Sequence, residues 1–162
     1  TMKEQIIKRM QFDNPWWVSG SIPNDYKSMQ HRLYLDTFMP MVADVSTRRG
    51  VILMGPRRVG KTVMIFHTIE ELIKNGVPAQ KIIYLSIDTP IYNNISLEDL
   101  LQLARESLKQ SGASMDGYFV FYDEIQYLKD WEIHLKSLID SYRNIKFVAS
   151  GSAAAVPPLP AM

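Results

Sequence analysis

Gly55-Pro56-Arg57-Arg58-Val59-Gly60-Lys61-Thr62 fits the pattern G-x-x-x-x-G-K-[ST] at every defined position. Glycines at both ends permit a tight turn in which successive backbone N–H groups point inward, toward phosphate oxygens. A helix starting at Lys61 adds the positive end of its dipole at the same point. The nucleotide-binding set is therefore Gly55, Arg57, Arg58, Val59, Gly60, Lys61, Thr62 and Val63. Lys61 supplies a point charge for the β- and γ-phosphates, and the Thr62 hydroxyl is suited to ligating Mg2+. Because the backbone fills the cradle, the side chains of Arg57 and Arg58 are expected to face solvent or a neighbouring loop.

About sixty residues later an apolar run, Phe119-Val120-Phe121-Tyr122, ends in Asp123-Glu124. Carboxylates at the end of a buried strand are costly without a partner. A magnesium ion and an attacking water account for both. Asp123 is expected to hold Mg2+ through a coordinated water, and Glu124 to orient and deprotonate the water that attacks the γ-phosphate. A kinase acting on a small molecule needs no such glutamate, because its acceptor is a substrate hydroxyl.

The elements that must position these residues read as α/β. Val51–Met54 is a short apolar run of the kind buried on both faces of a parallel sheet. A helix is expected over 61–74, stopped by Asn75-Gly76 and Pro78. Further strands are expected over 81–87, 118–122 and 145–149. Ser96 with Asp99 opens a helix running to about Lys109, and Asp130 is placed to cap another. Upstream, Thr1–Asn24 reads as an extended, turn-rich arm, and residues 28–45 as helix divided at Pro40. The expected organisation is an N-terminal arm and helical segment over 1–45, a nucleotide-binding core over 46–152, and a disordered tail over 153–162. Strand and helix alternate, which indicates a mainly parallel sheet.

Composition narrows the class. The chain has 162 residues, 46% hydrophobic and 22% charged, which suits a globular domain. No apolar run approaches the roughly 18 residues that span a bilayer. Thr1–Asp13 has no signal-peptide core, so a cytoplasmic protein with no membrane partner is expected. The absence of cysteine excludes disulfides, thiolate metal sites and cysteine nucleophiles. The three histidines are too scattered to suggest a metal site. A formal charge of +1, with no basic helical stripe, gives no indication of nucleic-acid binding.

The segments NPWW (14–17), GPRRVGKT (55–62), IIYLSID (82–88), VFYDEIQYLKDWEIHLKSLID (120–140) and KFVASGS (146–152) resemble prokaryotic AAA-type ATPases. Ile125-Gln126 and Asp130-Trp131 are the most family-specific residues among them. The resemblance implies a three-layer P-loop NTPase fold of the additional-strand, catalytic-glutamate type. It also implies ATP or ADP as ligand, Mg2+ as cofactor, and ATP hydrolysis. In that type another strand separates the phosphate-loop strand from the acidic strand. Residues 145–149 are the natural candidate, which puts Ser150 in the polar sensor position, with Ser152 as runner-up. The catalytic set is then Glu124, Lys61 and Ser150, and the metal set Thr62 and Asp123.

Relatives continue into a fifth strand, a helical lid and a further domain, so the fold is expected to stop after its fourth core strand. The phosphate-loop strand then lies at a sheet edge, either bare or covered by the arm or another chain. An arginine for catalysis has to come from a second copy or a protein partner. The alternative function is a nucleotide-dependent switch or interaction module with negligible turnover. Trp16 and Trp17 are expected to anchor the arm by burial, with adenine stacking as the rival. Gln126 is expected near the site or at the surface, and Asp88 at the carboxyl side of the sheet, where ligands bind in open α/β folds.

Overall fold

A computed structural model of the chain describes residues 1–31, 35–45, 50–55 and 60–152. The elements run α1 (Met2–Asp13), α2 (Trp16–Ser19), α3 (Asn24–Lys27), α4 (Leu35–Ala43), β1 (Gly50–Gly55) and α5 (Lys61–Lys74). They continue with β2 (Ile82–Ser86), α6 (Leu97–Ser107), β3 (Tyr118–Asp123), α7 (Trp131–Ser141) and β4 (Ile145–Ser152). The expected tail over 153–162 lies outside the described residues.

The four strands form one sheet in the order β1-β4-β3-β2, and every pairing is parallel. β4 therefore separates the strand that leads into the glycine loop from the strand that ends in Asp123. The register sets Leu53 beside Ser150, Tyr122 beside Ala149, and Ser86 beside Asp123. Right-handed crossovers in opposite directions along the sheet put α5 on one face and α6 with α7 on the other. Side chains agree with this. Phe66 of α5 packs on Tyr84, whereas the Tyr122 hydroxyl donates to the Leu97 carbonyl at the start of α6. A methyl group on Gly50 would collide with Ile139 of α7.

Burial follows strand position. Every residue of β3 and β4 is buried. β1 was expected to be buried on both faces. It is not, because it forms the sheet edge: Val51 is buried but Ile52 is 54% exposed. Among the described residues no strand pairs with the outer side of β1.

The opposite edge is closed by the N-terminal segment. Thr1–Asn24 is not extended: α1 is a regular helix with a reciprocal capping box between Thr1 and Glu4, and it buries Ile6 and Met10. It leads into Asn14, which is fully buried against β2. Asn14 Nδ2 donates to the Tyr84 carbonyl at 2.9 Å, and the Tyr84 N–H donates to Asn14 Oδ1 at 2.7 Å. The indole N–H groups of Trp16 and Trp17 both donate to the Ile82 carbonyl, at 2.9 and 2.7 Å. Three side chains thus satisfy the backbone groups that an edge strand leaves open. Pro15 suits this bend, since it starts α2 and has no N–H to place.

Two local expectations are corrected. Pro40 does not divide a helix but lies inside α4. Its missing N–H removes one backbone bond, while Leu35, Phe38 and Val42 keep the helix anchored by burial. Asp130 does precede α7, yet it adopts a left-handed conformation (φ 58°) and its side chain makes no capping bond. The Ser96 cap is as expected, with its hydroxyl accepting from the Asp99 N–H at 3.1 Å.

Asn14→Ala should destabilise the fold by about 3 kcal/mol or more, because it removes the partner of the Tyr84 N–H and carbonyl and a donor to the Met10 carbonyl, at roughly 1–3 kcal/mol for each group left unpaired. Urea unfolding checks this. A loss below about 1 kcal/mol would mean that water or a neighbour replaces the amide.

Candidate functional site

The site forms at the carboxyl ends of the strands. Gly60 holds φ 80° immediately before α5, a left-handed conformation that a side chain would strain. The first N–H groups of α5, at Lys61, Thr62 and Val63, have no partner within the helix. They border a cleft of about 370 Å3 whose lining also includes Gly60, Asp88, Glu124 and Tyr127. Lys61 is buried, and its ammonium donates to the Gly55 carbonyl at 3.2 Å. Arg57, Arg58 and Val59 of the expected nucleotide-binding set lie outside the described residues.

Asp123 is the centre of the site and is 1% exposed. Its Oδ2 accepts from the Thr62 hydroxyl at 2.8 Å and from the Tyr84 hydroxyl at 2.7 Å. Its Oδ1 accepts from the Ser150 hydroxyl at 2.5 Å and from the Glu124 N–H at 3.0 Å. A carboxylate offers about four lone-pair sites, so this one is fully used. Thr62, Asp123 and Ser150 are thereby brought together from α5, β3 and β4. Tyr84 was not anticipated as a site residue. The sequence marks it only as an aromatic of the second strand; the register that sets Ser86 beside Asp123 is what brings its hydroxyl to the site. Burial, and then the negative charge of Asp123, push the Tyr84 hydroxyl far above its ordinary range, which keeps it a donor.

Glu124 is the next residue and takes a left-handed conformation, φ 55°. That turn carries its side chain into the cleft wall, where Oε2 accepts from Gln126 Nε2 at 2.7 Å. Gln126 Oε1 in turn accepts from the Ser152 N–H at 3.1 Å. Gln126 thus belongs to the site and not to the general surface. Ser152, the runner-up sensor, faces Gln126 through its backbone. Asp88 also lines the cleft, and it accepts from the Ser86 hydroxyl at 2.6 Å. Trp16 and Trp17 are buried on the far edge of β2, which leaves them no face for stacking on a base.

The residues present fit Mg2+. The donors are hard oxygens, as that ion requires. The Thr62 hydroxyl gives its proton to Asp123 and keeps its own lone pairs for a metal. Asp123 would reach such an ion through water only with one of its four donors exchanged for that water.

A parallel sheet with the 1-4-3-2 order, the sequence G-x-x-x-x-G-K-T between β1 and α5, and an acidic strand end one strand removed define a P-loop nucleotide-binding domain. A family model described as an AAA domain matches residues 47–157, and the chain belongs to that family. Its relatives include an uncharacterised protein of Methanocaldococcus jannaschii, 31% identical over 106 residues, covering 64% of this chain and 21% of that protein. An uncharacterised protein of Haemophilus influenzae is 30% identical over 104 residues, covering 64% of this chain and 25% of that protein. The chain therefore spans about a fifth to a quarter of the length of these relatives. Among solved structures, that of C. elegans PCH-2 aligns with 96% of this chain and 38% of its own, at 14% identity and a TM-score of 0.43. Among the described residues no helix is long and apolar enough to cross a membrane.

Tyr84, Tyr92 and Tyr122 are all raised, in each case first by burial. An acid raised above its unfolded value of about 10 gives stability that is complete below that pH and is lost as the pH rises further. The urea midpoint should therefore be level from pH 8 to about 9.5 and fall above about 10. The fall should be shallower in Tyr84→Phe, and equal slopes in the two proteins would contradict the assignment.

Proposed function

We propose that this domain binds ATP with Mg2+ and hydrolyses its γ-phosphate. The observation that carries the reading is the Asp123 carboxylate, tied at once to the hydroxyl of Thr62 and to that of Ser150. This arrangement ties the start of the phosphate-loop helix to the two strand ends that face the cleft. A nucleotide-binding turn alone would not require it.

In this reading the N–H groups at the start of α5 and the Lys61 ammonium hold the β- and γ-phosphates. Lys61 leaves the Gly55 carbonyl to do so. Thr62 and, through a water, Asp123 would hold Mg2+, which would supply charge neutralisation at the phosphate oxygens. Glu124 orients a water in line with the γ-phosphate and takes its proton. Ser150 is the sensor, and its bond to Asp123 supports a readout that passes through that carboxylate. No covalent intermediate with the protein is needed, since positioning and electrostatics lower the barrier. An arginine from a second copy or a protein partner would add a factor of about 10³–10⁵ to the rate.

Saturating Mg-ATP, at about 100 times its dissociation constant, should stabilise the chain by about 2.7 kcal/mol. For a domain of this size the melting temperature should then rise by about 5–10 °C. Lys61→Ala should abolish the rise. Glu124→Gln should keep the rise and lower phosphate release by about 10²–10⁴. No rise in the wild type overturns nucleotide binding by this chain. A rise with no phosphate release supports the nucleotide-dependent switch instead.

A further inference from the structure

We infer that Gln126 is a positioning residue that aims the Glu124 carboxylate at the attacking water by tethering it to the tip of β4. The inference rests on the hydrolytic reading of Glu124 and adds what holds that base in place. The amide bridges two fixed points, with Nε2 donating to Glu124 Oε2 at 2.7 Å and Oε1 accepting from the Ser152 N–H at 3.1 Å. A backbone N–H can only donate and an ionised carboxylate can only accept, so the two ends of the amide are assigned without ambiguity.

Three further features serve this bridge. Glu124 is left-handed, and the single 3-10 turn Ile125–Tyr127 folds Gln126 back beside it. Ile125 is fully buried and anchors that turn. Gly151 lies opposite, where an added methyl group would sit 2.6 Å from Gln126 Oε1, 3.1 Å from Met54 Sδ and 3.2 Å from Ile125 Cγ2. The bare backbone at Gly151 is what lets the amide lie against β4.

The chemical consequence is selective. Gln126 engages Oε2, which leaves Oε1 of the same carboxylate to take the proton of water. A base held this way is confined to one orientation, and a displacement of about 1 Å is enough to lose about 10² in rate. The two acids at the tip of β3 are then both fixed to β4, Asp123 through Ser150 and Glu124 through Ser152 by way of Gln126.

The test uses the full chain and three variants, Gln126→Ala, Gln126→Glu and Gly151→Ala. Phosphate release at saturating Mg-ATP should fall about 10–100-fold in each, with KM and the ATP-induced melting shift within twofold of wild type. Gln126→Glu is the decisive variant. It keeps the volume of the side chain but, when ionised, cannot donate to Glu124, so packing alone would leave its rate intact. A turnover-independent measurement accompanies it: in Gln126→Ala the Ser152 N–H should exchange with solvent at least tenfold faster. Unchanged release in Gln126→Glu, or kcat and KM changing together, overturns the positioning role. Unchanged exchange at Ser152 overturns the bridge itself. Absence of phosphate release in the wild type overturns hydrolysis, and the catalytic meaning of the bridge with it, whatever the exchange shows.

Discussion

A carboxylate buried at the end of a strand has to find donors for all its lone pairs, and at Asp123 that requirement organises the nucleotide end of the molecule. Its four donors come from α5, β2, β4 and the next backbone amide. Each bond fixes a register. Tyr84 can reach only if β2 pairs with Ser86 beside Asp123, and Ser150 only if β4 lies directly beside β3. Thr62 can reach only if α5 starts at Lys61, directly after Gly60. An error in any one of these would take a donor from a buried carboxylate, which costs more than a missing contact between neutral groups.

The two edges of the sheet are handled in opposite ways. At β2 the amide of Asn14 presents a donor and an acceptor to Tyr84, as a neighbouring strand would, and two indoles share the Ile82 carbonyl. This ends the sheet without adding a strand. At β1 nothing among the described residues performs that task, and Ile52 stays open to solvent. One residue links the closed edge to the chemistry: Tyr84 meets Asn14 through its backbone and Asp123 through its hydroxyl.

Most of the frame was legible because its signals are local. The apolar runs gave the four strands, and the glycine-lysine pattern gave the start of α5 at Lys61. Ser96 announced its helix through a short side chain at the right place. The order of the strands was legible only through the resemblance to AAA-type ATPases, since periodicity says nothing about which strands are neighbours. What escaped depends on distant partners. α1 buries only Ile6 and Met10 and leaves Met2 and Phe12 exposed, so its apolar residues do not form one clear helical stripe. Trp16 and Trp17 were legible as buried, but their bonds to a carbonyl about 65 residues away were not. Tyr84 looked like one more strand aromatic, and Gln126 like a residue with an even chance of lying at the surface. Both acquire their roles from the fold that brings β2, β3 and β4 side by side.

The central position of β4 has a consequence for how the chain is made. β4 is the last described strand in sequence and lies between two that precede it. Until it emerges, β1 has no neighbour in the sheet and Asp123 lacks the Ser150 hydroxyl. From Asn14 to Tyr84, and again from Tyr84 to Ser152, the ribosome must add roughly seventy residues, several seconds' work at about 5–20 residues per second. The edge cap and β2 can therefore meet while the slot between β1 and β3 is still open. The nascent domain passes through a stage in which it is closed at one side and gapped at its middle, a state in which chaperone protection would matter most.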